Sequence, residues 1–212
     1  EEGDPGPMGP AGPQGPAGTL PPETDAQNNT SYGARTQTNI TTGNNNTAIG
    51  ADAQVAPVGQ SNEAIGVGTQ GAITSGEFNS AIGSYAQAQV KSGSYNMAMG
   101  RGAQYSLTTG HQNVGIGFNT QQGGAALTTA HGQTAVGSEA GPTTAGTGSN
   151  GVGIGLSAKY HTEATAIGSN AQARGIRSTA IGAQAIATAD NEIVLGTITE
   201  TVRVPGPFKA DG

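Results

Sequence analysis

A four-residue phrase returns along most of this chain and constrains its fold more than any other feature. It reads TAIG ending at Gly50, EAIG at Gly66, SAIG at Gly83 and MAMG at Gly100. It continues as VGIG at Gly117, TAVG at Gly137, VGIG at Gly155, TAIG at Gly168 and Gly182, and IVLG at Gly196. Successive glycines stand 16, 17, 17, 17, 20, 18, 13, 14 and 14 residues apart, and a worn copy, NTSYG, ends at Gly33. Equal phrases at short, nearly equal spacing predict one coil of chain per copy, stacked on the next, because a single copy cannot bury its own apolar face.

The columns around the glycine sharpen this. Just before it stand Ile49, Ile65, Ile82, Met99, Ile116, Val136, Ile154, Ile167, Ile181 and Leu195. One place earlier the residue is Ala or Gly in nine coils and Val194 in the last. Three places after the glycine it is Ala or Thr in every coil. Asn46, Asn62, Asn79, Asn96 and Asn113 precede their glycines by four, and Gly43, Gly59, Gly76, Gly93, Gly110, Gly148 and Gly175 by seven. The short T-A-I-G strand alternates its side chains, and the G-x-x-N step suits a tight turn. We expect the ten aliphatic residues to form the structural core ladder of the solenoid. Composition agrees. With 37 Gly in 212 residues, 4% aromatics and no Trp, a layered core of large side chains is excluded. No stretch keeps a helical period.

The N-terminal segment has a different period. Gly3, Gly6, Gly9, Gly12, Gly15 and Gly18 fall at every third place, and Pro fills five of the ten positions between them. Three polyproline chains wind together only where the axial residue has no side chain, so strict Gly-X-Y predicts a collagen-like triple helix and hence three chains. The expected organisation is therefore a collagen-like segment at 1–18, a linker at 19–28, a β-roll of ten to eleven coils at 29–196, and a capping strand and exit segment at 197–212. Ile198, Val202 and Val204 alternate with polar residues in that last piece, and Pro205 and Pro207 stop it.

Stretches such as NNTAIGADAQ, NSAIGSYAQAQ, EATAIGSNAQARG and STAIGAQAIATADNEIVLG resemble the head repeats of trimeric autotransporter adhesins, the YadA-like left-handed parallel β-roll. The resemblance runs from about Asn29 to Gly196. It implies an all-β solenoid and a homotrimer, with three rolls side by side and the Ile column turned inward. The chain departs from that pattern in its longer early coils and in two insertions, QQGGAALTTAH and GPTTAGTGSNG. Heptads, a neck sequence and a C-terminal barrel are not seen. Collagen-like triplets joined to such a roll, and the ending ADNEIVLGTITETVRVPG, look more like virus and bacteriophage fibres.

Little in the sequence points to chemistry. Without Cys there is no disulfide frame, thiolate zinc site or cysteine nucleophile. Net charge is −6, against binding to nucleic acid phosphates, and no apolar run approaches the length of a membrane helix. GVGTQG at 66–71 and GTGSNG at 146–151 fit G-x-G-x-x-G but lack the strand–helix setting of a nucleotide site. His111, His131 and His161 are expected in solvated turns. The 14 acidic residues are scattered, with no pair suited to glycoside cleavage. We therefore expect no enzyme, no metal and no cofactor. Phe78 and Tyr95 occupy equivalent columns and should stack. With Gln121, Gln122, Thr143 and Thr144 in the two inserted loops, they are the candidates for surface contact. The sequence reading is a trimeric fibre of a virus or phage: a rigid extracellular spacer on the virion surface, partnered by itself, by other fibre or virion subunits, and by a host-surface glycan or protein. The alternative is a bacterial trimeric surface adhesin, displayed on the cell. A polysaccharide-degrading fibre stands third.

Overall fold

The computed structural model describes residues 23–24, 27–36, 42–53, 58–121, 129–143 and 149–203. The expected triple-helical segment at 1–18 lies outside the described residues. No helix occurs among the described ones. In chain order the strands are β1 (Glu23–Thr24), β2 (Thr30–Tyr32), β3 (Thr47–Ile49), β4 (Glu63–Ile65), β5 (Ser80–Ile82), β6 (Met97–Met99), β7 (Val114–Ile116), β8 (Thr134–Val136), β9 (Gly141–Pro142), β10 (Val152–Ile154), β11 (Lys159–Tyr160), β12 (Thr165–Ile167), β13 (Gln172–Ala173), β14 (Thr179–Ile181), β15 (Ile186–Ala187) and β16 (Ile193–Leu195).

Each copy of the phrase is one rung of a parallel sheet. That sheet runs β2-β3-β4-β5-β6-β7-β8-β10-β12-β14-β16, and β1 closes its first edge. Register is strict, with Ala48 beside Ala64 and Ile49 beside Ile65, and so on to Ala180 beside Val194 and Ile181 beside Leu195. At about 4.8 Å per rung the sheet is roughly 48 Å long. The linker expected at 19–28 is thus partly structural. Glu23 and Thr24 pair antiparallel with Ser31 and Thr30, which covers the N-terminal sheet edge.

The expected core ladder is not the core of the single chain. Ile49, Ile65 and Ile82 are each 39% exposed, and Met99, Ile154, Ile181 and Leu195 are more so; Ile116, Val136 and Ile167 are half-buried. What fills the coil is alanine. Ala48, Ala64, Ala81, Ala98, Ala135, Ala166 and Ala180 face inward from the strands, and Ala53, Ala86, Ala103, Ala140, Ala158, Ala171 and Ala185 meet them from across the coil. A coil this narrow has room for facing methyl groups and not for facing isoleucines, so the strand turns its Ile outward.

Two widths of coil occur. Between Gly50 and Gly137 the coils are wide and carry polar ladders inside. The Asn46 backbone N–H and Nδ2 both donate to Asn29 Oδ1, at 2.9 and 3.0 Å, and Nδ2 also donates to the Gly59 carbonyl at 2.9 Å. The pattern repeats through Asn62, Asn79, Asn96 and Asn113 to the backbone N–H of Gln133. These asparagines bind neighbouring coils rather than their own turn, as the G-x-x-N step had suggested. A second ladder runs from Gln70 Nε2 to Gln87 Oε1 and from Gln87 Nε2 to Gln104 Oε1, both at 3.0 Å. Ile73, Val90 and Leu107 fill the rest of the three coils between Gly66 and Gly117. From β9 onward the coils are narrow and hold a second parallel sheet, β15-β13-β11-β9. Two strands were expected in every coil. Among the described residues a second strand per coil occurs only here, and turns stand in its place in the described parts of the wide coils.

Tyr160 joins the two regimes. It is fully buried, and its hydroxyl donates to Gln133 Oε1 at 3.2 Å. A Cβ on Gly151 or Gly153 would lie 2.1 or 2.7 Å from its ring, so those two glycines stand where other coils carry Asn and Ala because the ring takes their space. Burial pushes the Tyr160 phenol well above its ordinary value, as expected for a group kept neutral in an apolar site.

The repeat glycine is required by close approach. At Gly83 φ is +129°, and a Cβ would lie 2.6 Å from the carbonyl carbon and oxygen of Gly100. At the C-terminal end the expected strand is absent among the described residues. Thr197 donates its N–H and hydroxyl to the Glu200 carboxylate, and Ile198 is wholly exposed. That local turn competes successfully with a short alternating segment which has no sheet partner.

Candidate functional site

The strand alternation that buries Ala presents the residues on either side of it at the surface. The Ile column runs unbroken from Ile49 to Leu195, and Tyr32 precedes it opposite Ile49. Flanking it, two residues earlier, stand Met97, Val114, Val152 and Ile193 among Thr, Ser and Glu. Ile193 is 70% exposed. One face of the rod is therefore an in-register aliphatic stripe, much longer than the scattered apolar residues of an ordinary surface.

Two corners flank this face, and both require left-handed backbone. Five residues before the repeat glycine, Asn45, Ser61, Phe78, Tyr95, Gln112, Asn150, Glu163, Arg177 and Asn191 have φ of 55–60°. Two residues after it, Asp52, Tyr85, Asn119, Glu139, Ser157, Asn170 and Gln184 have φ of 49–61°. Small polar residues or Gly suit such places. Aromatic residues do not, so Phe78, Tyr95 and Tyr85 hold conformations that their side chains disfavour.

The predicted stack is present. The rings of Phe78 and Tyr95 lie 5.1 Å apart and 10° from parallel, 47% and 59% exposed. One column over, the His111 and His131 rings stack at 5.3 Å. These histidines are more than solvated turn residues. His111 Nδ1 accepts from the Ser94 backbone N–H at 3.0 Å, and His131 Nδ1 accepts from that of His111 at 3.1 Å. His161 Nδ1 accepts from the Thr162 N–H at 2.8 Å.

The loop candidates divide. Gln121 is 2% exposed and donates Nε2 to the Val114 carbonyl at 2.9 Å, so it continues the interior polar column and is no contact residue. Thr143 is exposed and donates its N–H to the Tyr160 carbonyl at 2.7 Å. Gln122 and Thr144 lie outside the described residues. Among the described residues no cluster of three His, Cys, Asp or Glu could hold a metal, and no helix is long and apolar enough to cross a membrane. GVGTQG at 66–71 forms a coil corner with no helix following it.

Charge is sparse and local. Arg35 and Asp52 pair through two 2.6 Å contacts on neighbouring coils, and the guanidinium draws the Asp52 carboxyl below its usual range. Lys159 Nζ donates to the Glu139 carbonyl at 2.6 Å, and partial burial lowers its amine despite the Glu139 charge.

The fold thus defines an all-β parallel solenoid with one continuous aliphatic face. Residues 162–185 and 173–196 match the YadA head domain repeat, in two copies. The match coincides with the narrow, two-sheet coils. The wide coils before Gly137 keep the same strands and glycine but are longer and hold the interior polar ladders. No curated protein matches the chain.

Proposed function

We propose that this chain is the rod-forming part of a homotrimeric, extracellular surface adhesin. In this reading three left-handed rolls pack side by side along the aliphatic faces. YadA head domains form homotrimers in general and are displayed outside the cell. The observation that carries the reading is the in-register stripe from Ile49 to Leu195, half-exposed on a single chain. Covering one such side chain contributes about 1 kcal/mol, and ten rungs repeat the contact. The Gly-X-Y run at 1–18 would require the same three chains. The role is mechanical and non-enzymatic: a stiff spacer whose outward corners meet another surface, each contact presented three times. The head repeats support the cell-surface adhesin better than the virion fibre, whose distinguishing support is the collagen-like run.

Cysteine placement tests the packing, because the chain has none of its own. Under mild oxidation Ile82→Cys should form interchain disulfides, and Arg174→Cys, just past β13 of the opposite sheet, should not. Equal cross-linking at both positions would refute the packed aliphatic face.

A further inference from the structure

The corner two residues after the repeat glycine contains a gap. Along this column Tyr85 and Asn119 carry side chains, and Gly102 between them does not. The Tyr85 ring leans the other way, over Gly68, where a Cβ would lie 2.8 Å from ring atoms Cδ1 and Cε1. The result is a notch of about 190 Å³, floored by Gly102 and walled by Tyr85, Arg101, Tyr105 and Asn119.

Its polar equipment is uncommitted. Among the described residues no side-chain hydrogen bond or ion pair engages the ends of Tyr85, Arg101, Tyr105 or Asn119. Backbone amides at the notch are already engaged: the Gly102 N–H donates to the Ser84 carbonyl at 3.0 Å, and the Asn119 N–H to the Arg101 carbonyl at 3.0 Å. Arg101 is nevertheless positioned, because its guanidinium lies 5.7 Å from the centre of the Phe118 ring, a contact that favours one placement of a flexible side chain. In a chain with 8 basic and 14 acidic residues, a held guanidinium without a carboxylate partner is a feature to explain.

We propose that this notch binds one acidic sugar residue, with Arg101 on its carboxylate or sulfate and the Tyr85 and Tyr105 rings against its face. The chemistry fits in each part. A guanidinium fork matches the two oxygens of a carboxylate or sulfate. Tyrosine offers an apolar face and a polar edge to a ring that has both. The Asn119 amide supplies a donor and an acceptor for hydroxyls. With the Gly102, Tyr105 and Asn119 amides engaged, the floor offers no run of free N–H groups for a phosphate, which sets a nucleotide aside. The inference deepens the surface-attachment reading and rests on it, since three notches at one height would multiply a weak single contact.

Saturation-transfer NMR on the full chain tests the site with sialyllactose, glucuronic acid, N-acetylglucosamine 6-sulfate and neutral lactose. At least one acidic sugar should receive saturation and lactose none; the carboxylated and sulfated arms identify the anion. Arg101→Gln should weaken binding about tenfold. Gly102→Asn should do the same by filling the floor, with a residue that tolerates the left-handed backbone. Both variants should keep the native mass and melting temperature. No transfer to any acidic sugar, equal transfer to lactose, or full binding by both variants overturns the proposal. Beads coated with the chain separate the two readings. Beads carrying Arg101→Gln that adhere to cells as well as the parent overturn the notch and leave attachment standing. Parent beads that adhere to no cell overturn attachment, and the sugar titration still decides the notch.

Discussion

Replacing Asn79 by Ala should cut the interior polar ladder at its middle. The Asn79 side chain makes four hydrogen bonds. Nδ2 donates to Asn62 Oδ1 at 3.0 Å and to the Gly93 carbonyl at 2.8 Å. Oδ1 accepts from the Asn96 backbone N–H at 3.1 Å and from Asn96 Nδ2 at 3.0 Å. Asn62 Oδ1 keeps the Asn79 backbone N–H, and Asn96 Nδ2 keeps the Gly110 carbonyl. The Asn96 N–H and the Gly93 carbonyl are left without these partners inside a buried column. Stranding a buried polar group costs about 1–3 kcal/mol, so the variant should lose about 2–5 kcal/mol. Guanidinium unfolding measures the total, and hydrogen exchange of the Asn96 amide localises it. That amide should exchange far faster than in the parent, while amides of the narrow coils beyond Tyr160 change little, because a solenoid couples mainly nearest neighbours. A loss under about 1 kcal/mol with the Asn96 amide still protected would refute the ladder as a source of stability.

Other expectations follow from single residues. Tyr160→Phe should cost about 1 kcal/mol through the lost bond to Gln133, and Tyr160→Ala about 3–5 kcal/mol through the cavity beside Gly151 and Gly153; calorimetry of the two variants separates the hydroxyl from the ring. Phe78→Asn should change stability by no more than about 1 kcal/mol, since relief of the left-handed strain offsets the lost stack on Tyr95, and a loss beyond about 2 kcal/mol in thermal melts would make the pair structural. The Glu192 carboxyl is held below its usual range by the Ala189 and Thr188 N–H groups. Its contribution is present above the unfolded carboxylate value and is lost as pH falls through the lower folded value, so the Thr188 and Ala189 amide shifts should move together in that acidic window.

Much of the architecture was legible in the repeat, and its inside and outside were not. The T-A-I alternation shows that Ala48 and Ile49 face opposite ways. Both are apolar, so pattern alone cannot say which one is enclosed; the narrow bore of the coil decides for Ala. Gln70, Gln87, Gln104 and Gln121 stand four places after their glycines in four consecutive coils, a column open to reading but masked by an expectation that glutamine marks surface. Tyr160 stands five places after its glycine, where the next two coils carry Ala173 and Ala187, so its column gave no sign of a large ring. Its trace was indirect, in Gly151 and Gly153, which leave both inward columns of a single coil without a side chain. The strand expected after Gly196 failed because alternation without a pairing edge does not make a strand. Of the surface candidates, Phe78 and Tyr95 were found by column equivalence. The notch at Gly102 was missed, since it arises from an absent side chain between two present ones on different coils.

The native mass of the full chain in solution, read by light scattering across a range of concentrations, tests the central claim most directly. A species of three times the 20.7 kDa chain mass, reduced to one by Asp at both Ile82 and Ile116, is what a packed aliphatic face predicts. A folded, monodisperse monomer at all concentrations would contradict it, and the stripe from Ile49 to Leu195 would then need a different occupant.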